Sequence, residues 1–255
     1  MSKLICLEQA IYTSVKGRQS SGYQLAATSP GITPDLAREL SRWGPAHDCL
    51  EDREPPHSLN FHPLDQQHWC LSETQATGAE YSGRRGARIV TQMFVLHESA
   101  FAAFDYQPVR ALQAIRAAFP FNVGAAIREQ LPARHMRVPT LLRFEPNPEQ
   151  SRRLTHLLES ARRGQPIGLI SQSPSRTMLK RLFDYLDPME RGELSFTTGL
   201  RFSLRRPFRM YILPAQPQLR RAFLAQSGAA AFDLEFLDDD HPTCDSRPAS
   251  LELTP

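Results

Sequence analysis

GQPIGLISQSPSRTMLKRLFDYLDPMERGELSFTTGLRFSLRRPFRMYILP, residues 164–214, is the stretch that decides the fold. The short apolar run Ile167–Ile170 lies between Gly164, Pro166 and Pro174, as a buried strand does. Ser173 or Ser175 can cap a helix behind it. Met178, Leu179, Leu182, Phe183 and Leu186 then fall on one helical stripe, with Arg176, Lys180, Arg181 and Asp184 on the other face. Pro188 stops that helix. Leu194–Leu204 and Phe208–Leu213 follow as strand-type runs. A strand, a helix and two further strands with no catalytic signature among them read as scaffold and surface, and so as part of a binding or adaptor protein.

A helix ending in Leu186-Asp187-Pro188, Arg191 three residues on, and then Ser195-Phe196-Thr197-Thr198 resembles the amino-terminal module of bacterial GTPase-associated proteins. The start of the chain agrees. Gln9-Ala10-Ile11-Tyr12-Thr13-Ser14-Val15, then Gly22–Ala27 and Ser29-Pro30-Gly31, are similar to the opening strands of that module. The resemblance covers roughly residues 5–45 and 165–235, and Val90–Leu96 matches the strand between them only loosely. It implies a role beside a GTPase or its signalling partners more than it implies a reaction. A second likeness is to the β–α–β core of DENN domains, which exchange nucleotide on small GTPases. Its order here is Ile167–Pro188, Ile212–Ala215 and Phe232–Leu237, and it would make the first half longin-like.

Outward from this stretch, the first half alternates strands and turns. Ile5–Val15 and Gly22–Thr28 read as a hairpin joined by a polar turn, Lys16–Ser21. That turn lacks the glycine spacing and Lys-Ser/Thr ending of a phosphate cradle. Thr33 caps a helix with Pro34 in its first turn, burying Leu36 and Leu40. Leu59–Leu64 and His68–Glu73 read as strands, and Ala87–Leu96 as the strongest strand of this half. Val109, Leu112, Ile115 and Ala118 face inward from a helix over 108–119. Further helices are expected over 122–132, 148–163 and 217–226, and strands over 140–144 and 229–237. The class is α+β in two packed halves, 1–120 and 121–237, with a disordered tail over 238–255.

At 255 residues the chain can hold one large domain or two small ones. Its 41% hydrophobic and 22% charged residues are globular values. No apolar run approaches the ~18 residues that span a bilayer, and Met1–Glu8 has too short an apolar core for a secretion signal. A cytoplasmic protein is expected. Lysine occurs only at 3, 16 and 180, so the basic residues are nearly all arginine, as in a GC-rich bacterial genome. A net charge of +3 is too small to argue for nucleic acid.

Chemistry-bearing residues are few. His47-Asp48-Cys49 with His68-Trp69-Cys70, and His57 and His62 nearby, is the best metal candidate, since imidazole and thiolate suit tetrahedral zinc. The pairing is not that of a finger or ribbon, and surface histidines beside strand cysteines explain it as well. Cys6 reads as core and Cys244 as a tail residue; wide spacing argues for free thiols. Ser171-Gln172-Ser173 sits at a strand-to-helix turn but lacks a nucleophile-elbow frame. No cofactor is implied.

The arginines do concentrate, at 191, 201, 205, 206, 209, 220 and 221. In the run 195–204 a period of two separates Leu200, Phe202 and Leu204 from Arg201, Ser203 and Arg205. The apolar set is expected on the helix over 175–187. Arg201, Arg205, Arg206 and Arg209 are then candidates for docking an acidic partner surface. The reading is a non-enzymatic regulatory or scaffold module that binds a GTPase or its partners. A DENN-like exchange factor and a zinc-dependent enzyme are the alternatives.

Overall fold

In the computed structural model, residues 3–16, 21–46, 49–51, 56–79, 87–121, 130–139, 148–170, 175–203, 205–206, 208–213, 216–227 and 229–234 are described. The amino-terminal strands are β1 (Leu4–Lys16), β2 (Ser21–Thr28), β3 (His57–Pro63), β4 (His68–Ala79) and β5 (Ala87–His97). They pair antiparallel throughout, and β6 (Arg134–Arg137) pairs with the start of β1. The later strands are β7 (Ile167–Ile170), β8 (Phe196–Thr197), β9 (Met210–Ile212) and β10 (Ala230–Asp233). These run parallel as neighbours, and β8 pairs antiparallel with β3. One sheet therefore crosses both halves of the chain, in the order β10-β7-β9-β8-β3-β4-β5-β1-β2. The α+β class read from the sequence holds.

Helices cover both faces. On one face α2 (Glu98–Ala102), α3 (Pro108–Ala118), α4 (Pro148–Arg162) and α5 (Ser175–Asp184) bury Phe101, Leu112, Leu157 and Phe183 against Leu7, Phe61, Leu71 and Ile167. On the other, α1 (Pro34–Trp43) sets Leu36 and Leu40 on Tyr12, Cys70 and Met93. There too α7 (Pro217–Ser227) sets Phe223 against Tyr211 and Leu213. Strands covered on both sides read as continuous apolar runs, as β5 does. The expected cap of α1 is present: the Thr33 hydroxyl accepts from Leu36 N, with Pro34 beginning α1.

Several expectations are corrected. Pro188 does more than stop α5: it opens a short helix, α6 (Pro188–Glu193). Asp187 and Glu190 form a reciprocal capping box that starts it. Among its described residues the run 194–204 holds only the two-residue β8 and an isolated bridge at Leu200. Side chains take over the pairing around it: Thr198 Oγ1 accepts Leu59 N, and Ser195 Oγ accepts Arg209 N. Leu200 and Phe202 pack with Leu50, Tyr211 and Phe223, away from the α5 face. Asp184 is buried, taking bonds from Arg110, Gln107 and Lys180. Cys6 is exposed on β1. A strand occurs at 134–137; of the helix expected over 122–132, residues 130–132 are not helical, and 122–129, like the segments expected over 140–144 and 238–255, lie outside the described residues.

Candidate functional site

The two sequence motifs turn out to stitch the sheet together. Ser58, Asn60, Ser72, Thr74, Thr91 and Thr197 form a buried polar layer across β3, β4, β5 and β8. Asn60 Oδ1 accepts from Ser58 and Thr197 at 2.7 Å each, and its Nδ2 donates to Ser72 at 3.2 Å. Gly199 N donates to Ser58 Oγ, and a Cβ at Gly199 would collide with the His57 carbonyl oxygen. The Ser-Phe-Thr-Thr motif thus seats the second half on the edge of the first.

Arg191 makes the second link. It is buried, Nε donates to Phe183 O at 2.8 Å, and Nη2 to Asp184 O at 3.3 Å. It therefore caps the carbonyl end of α5, where intrahelical donors run out. Its Nη1 donates to Asp105 O at 2.8 Å and to Asp105 Oδ2 at 2.6 Å. Asp105 and Tyr106 are consecutive left-handed residues, at φ 55° and 53°. Such a pair persists only where its surroundings fix it, and Arg191 is the clamp.

Among the described residues the proposed metal ligands are not brought together. His47 lies outside the described residues. Cys49 is buried and donates to the Ala46 carbonyl, while His68 Nδ1 is held by Asp65 at 3.0 Å. Cys70 is enclosed among Tyr12, Leu40 and Val95, and burial pushes its thiol far up from the usual range. Among the described residues no three His, Cys, Asp or Glu side chains are grouped to hold a metal. His57 serves elsewhere. With Arg116 (2.8 Å) and Gln75 (2.7 Å) it binds the buried Glu73 carboxylate. Burial alone would raise that carboxyl; the bonds from His57 and Gln75 and the Arg116 charge bring it below its usual value. His62 is buried with both ring nitrogens unpartnered, stacked 4.1 Å from Trp43. Burial lowers it to about 3, so it is neutral.

The basic segment 199–209 is pinned beside the loop that follows α1. Arg201 N donates to Cys49 O at 2.7 Å, and Leu200 bridges Leu50. Arg201, Arg205 and Arg209 are exposed there. Arg206 is not: it is half-buried, its Nη1 3.5 Å from Gly44 O and its Nε buried without a partner. Arg209 is tied to Gly164 O at 2.6 Å. Leu204 and Pro207 lie outside the described residues.

One feature was not foreseen. A cleft of about 660 Å³ opens between the β3–β4 turn, the α2–α3 loop and α6. Pro63, Trp69, Tyr106, Pro188 and Met189 supply its apolar lining, and Asp65, Glu98, Glu193 and Arg209 its charges. Trp69 Nε1 is fixed on Gly192 O at 2.8 Å. Tyr106 donates to Glu98, a bond that with burial raises the phenol. Reading Pro188 only as the stop of the preceding helix hid this site; the Asp187-Pro188-Met189-Glu190 capping box was the signal that would have revealed α6 and its exposed Met189.

The family model for GTPase-associated protein 1, N-terminal domain type 2, matches residues 6–136, just over half of the 255-residue chain. The chain belongs to this family. The match runs through 46–136, where the motifs were loose, and does not extend to 165–235. No curated protein and no solved structure matches. Among the described residues no helix is long and apolar enough to cross a membrane.

Proposed function

We propose that this chain is a non-enzymatic regulatory or scaffold module, acting in the cytoplasm, that binds a GTPase or a signalling partner of its own system. The family supports the association with a GTPase system. The observation that carries the mode of binding is the exposure of Arg201, Arg205 and Arg209 on a segment anchored by the Arg201 N bond to Cys49 O and the Arg209 side chain on Gly164 O. A fixed backbone holds these exposed arginines in place, and the planar guanidinium suits carboxylate partners. Arg206 belongs to the support beneath them.

The test is a pull-down with a GTPase encoded beside this protein, run together with a fluorescent-GDP release assay. Binding with unchanged GDP release fits a scaffold. Accelerated release would favour the DENN-like alternative. Neither binding nor altered turnover would end the proposal for that GTPase.

A further inference from the structure

The cleft beside α6 has a charge opposite to that of the molecule. Its lining carries three carboxylates, Asp65, Glu98 and Glu193, against Arg209, a net of −2 on a chain of net +3. The carboxylates differ in what they have left to offer. Asp65 accepts from Gln67 N, His68 N and the His68 ring, so it is committed to its turn. Glu98 takes the Tyr106 hydroxyl. Glu193 is exposed and makes no hydrogen bond or ion pair among the described residues.

Apolar chemistry is arranged beside it. Met189 is 76% exposed, more than any other large apolar side chain described, and it borders a lining of Trp69 and Tyr106. Methionine adapts its shape to a partner. The volume lies in the ~300–1,000 Å³ range of ligand sites. The wall at Tyr106 is held in a left-handed conformation by the Arg191 clamp on Asp105, as strained backbone often is at binding sites.

We infer that this cleft receives a basic and apolar segment of a partner protein. A Lys or Arg side chain pairs with Glu193 and Glu98, and a neighbouring apolar side chain covers Met189. Charge complementarity selects this occupant, because an acidic segment or a phosphate would meet three carboxylates. Of the docking arginines Arg209 also lines the cleft while Arg201 and Arg205 do not, so those two separate the docking surface from this site.

Fluorescence anisotropy of the full chain with a labelled eight-residue peptide alternating Arg and Leu tests it, with a Glu–Leu peptide as control. The Arg–Leu peptide binds and the Glu–Leu peptide does not. Glu193→Lys and Met189→Asp each weaken binding at least tenfold while the near-ultraviolet circular dichroism stays native, since both positions are exposed. R201E/R205E leaves peptide binding in place, so a failure here is separate from a failure of GTPase docking. Equal binding of both peptides, or unchanged binding in the two cleft variants, overturns the inference. So does a wild-type dimer in sedimentation that Glu193→Lys dissolves, because the occupant is then a second copy of this chain.

Discussion

Replacing Arg191 with Met keeps the aliphatic volume and removes every bond of the clamp. The bonds to Phe183 O and Asp105 O, both 2.8 Å, come from an ionised donor in a buried setting. Each such bond contributes about 1.5–3 kcal/mol. The contact with the Asp105 carboxylate adds little, because that side chain is 64% exposed and solvent screens it to about 0–1 kcal/mol. The 3.3 Å bond to Asp184 O is weak, and Phe183 O keeps a 3.4 Å bond from Leu186 N. Freed from the clamp, Asp105 and Tyr106 can relax, which recovers about 1–2 kcal/mol per left-handed residue that escapes. The net loss is about 3 kcal/mol, or roughly 6–12 °C in Tm for a chain of this size. Urea unfolding gives the first figure and a thermal melt the second. Arg191→Lys should recover less than half, since one ammonium cannot reach carbonyls on both α5 and the α2–α3 loop. A loss below about 1 kcal/mol in R191M, or full rescue by lysine, would refute the clamp.

Two further outcomes concern the buried polar side of the sheet. Burial holds His62 near 3, while the unfolded chain takes a proton below about 6.5, so stability falls as pH drops between those values. From pH 7 to pH 5 the loss from this one group is about 2 kcal/mol; His62→Phe keeps the stack on Trp43 and should remove it, as urea midpoints at the two pH values will show. An undiminished pH loss in H62F would count against the buried neutral imidazole. Gly199→Ala forces a methyl onto the His57 carbonyl and should cost about 1–3 kcal/mol by urea unfolding, loosening β8 from β3; a neutral result would mean that edge has slack.

The strands β1, β2, β5 and β7 and the helices α1, α3, α4 and α5 were legible because their apolar residues follow periods of two or 3.6. Thr33-Pro34 marked the start of α1 by its chemistry alone. What periodicity could not show was which partner each face meets. The alternation at 195–204 looked like a strand. Yet Thr197 and Thr198 spend their hydroxyls on β3, and Leu200 and Phe202 turn to α7. Arg191 and Arg206 read as two more surface arginines, because burial of a long cation is decided by carbonyls 7 to 162 residues away. The cleft draws on Trp69, Tyr106 and Met189 from three separate segments, so no local pattern announces it.

Isothermal titration of the GTPase with the wild-type chain and with R201E/R205E tests the central claim most directly. Both arginines are exposed, so the variant should fold and melt as the wild type does. The account predicts measurable wild-type binding that weakens at least tenfold, about 1.4 kcal/mol, in the variant. Equal affinity in a folded variant would place the interface elsewhere, and no binding by the wild-type chain would contradict the proposed role.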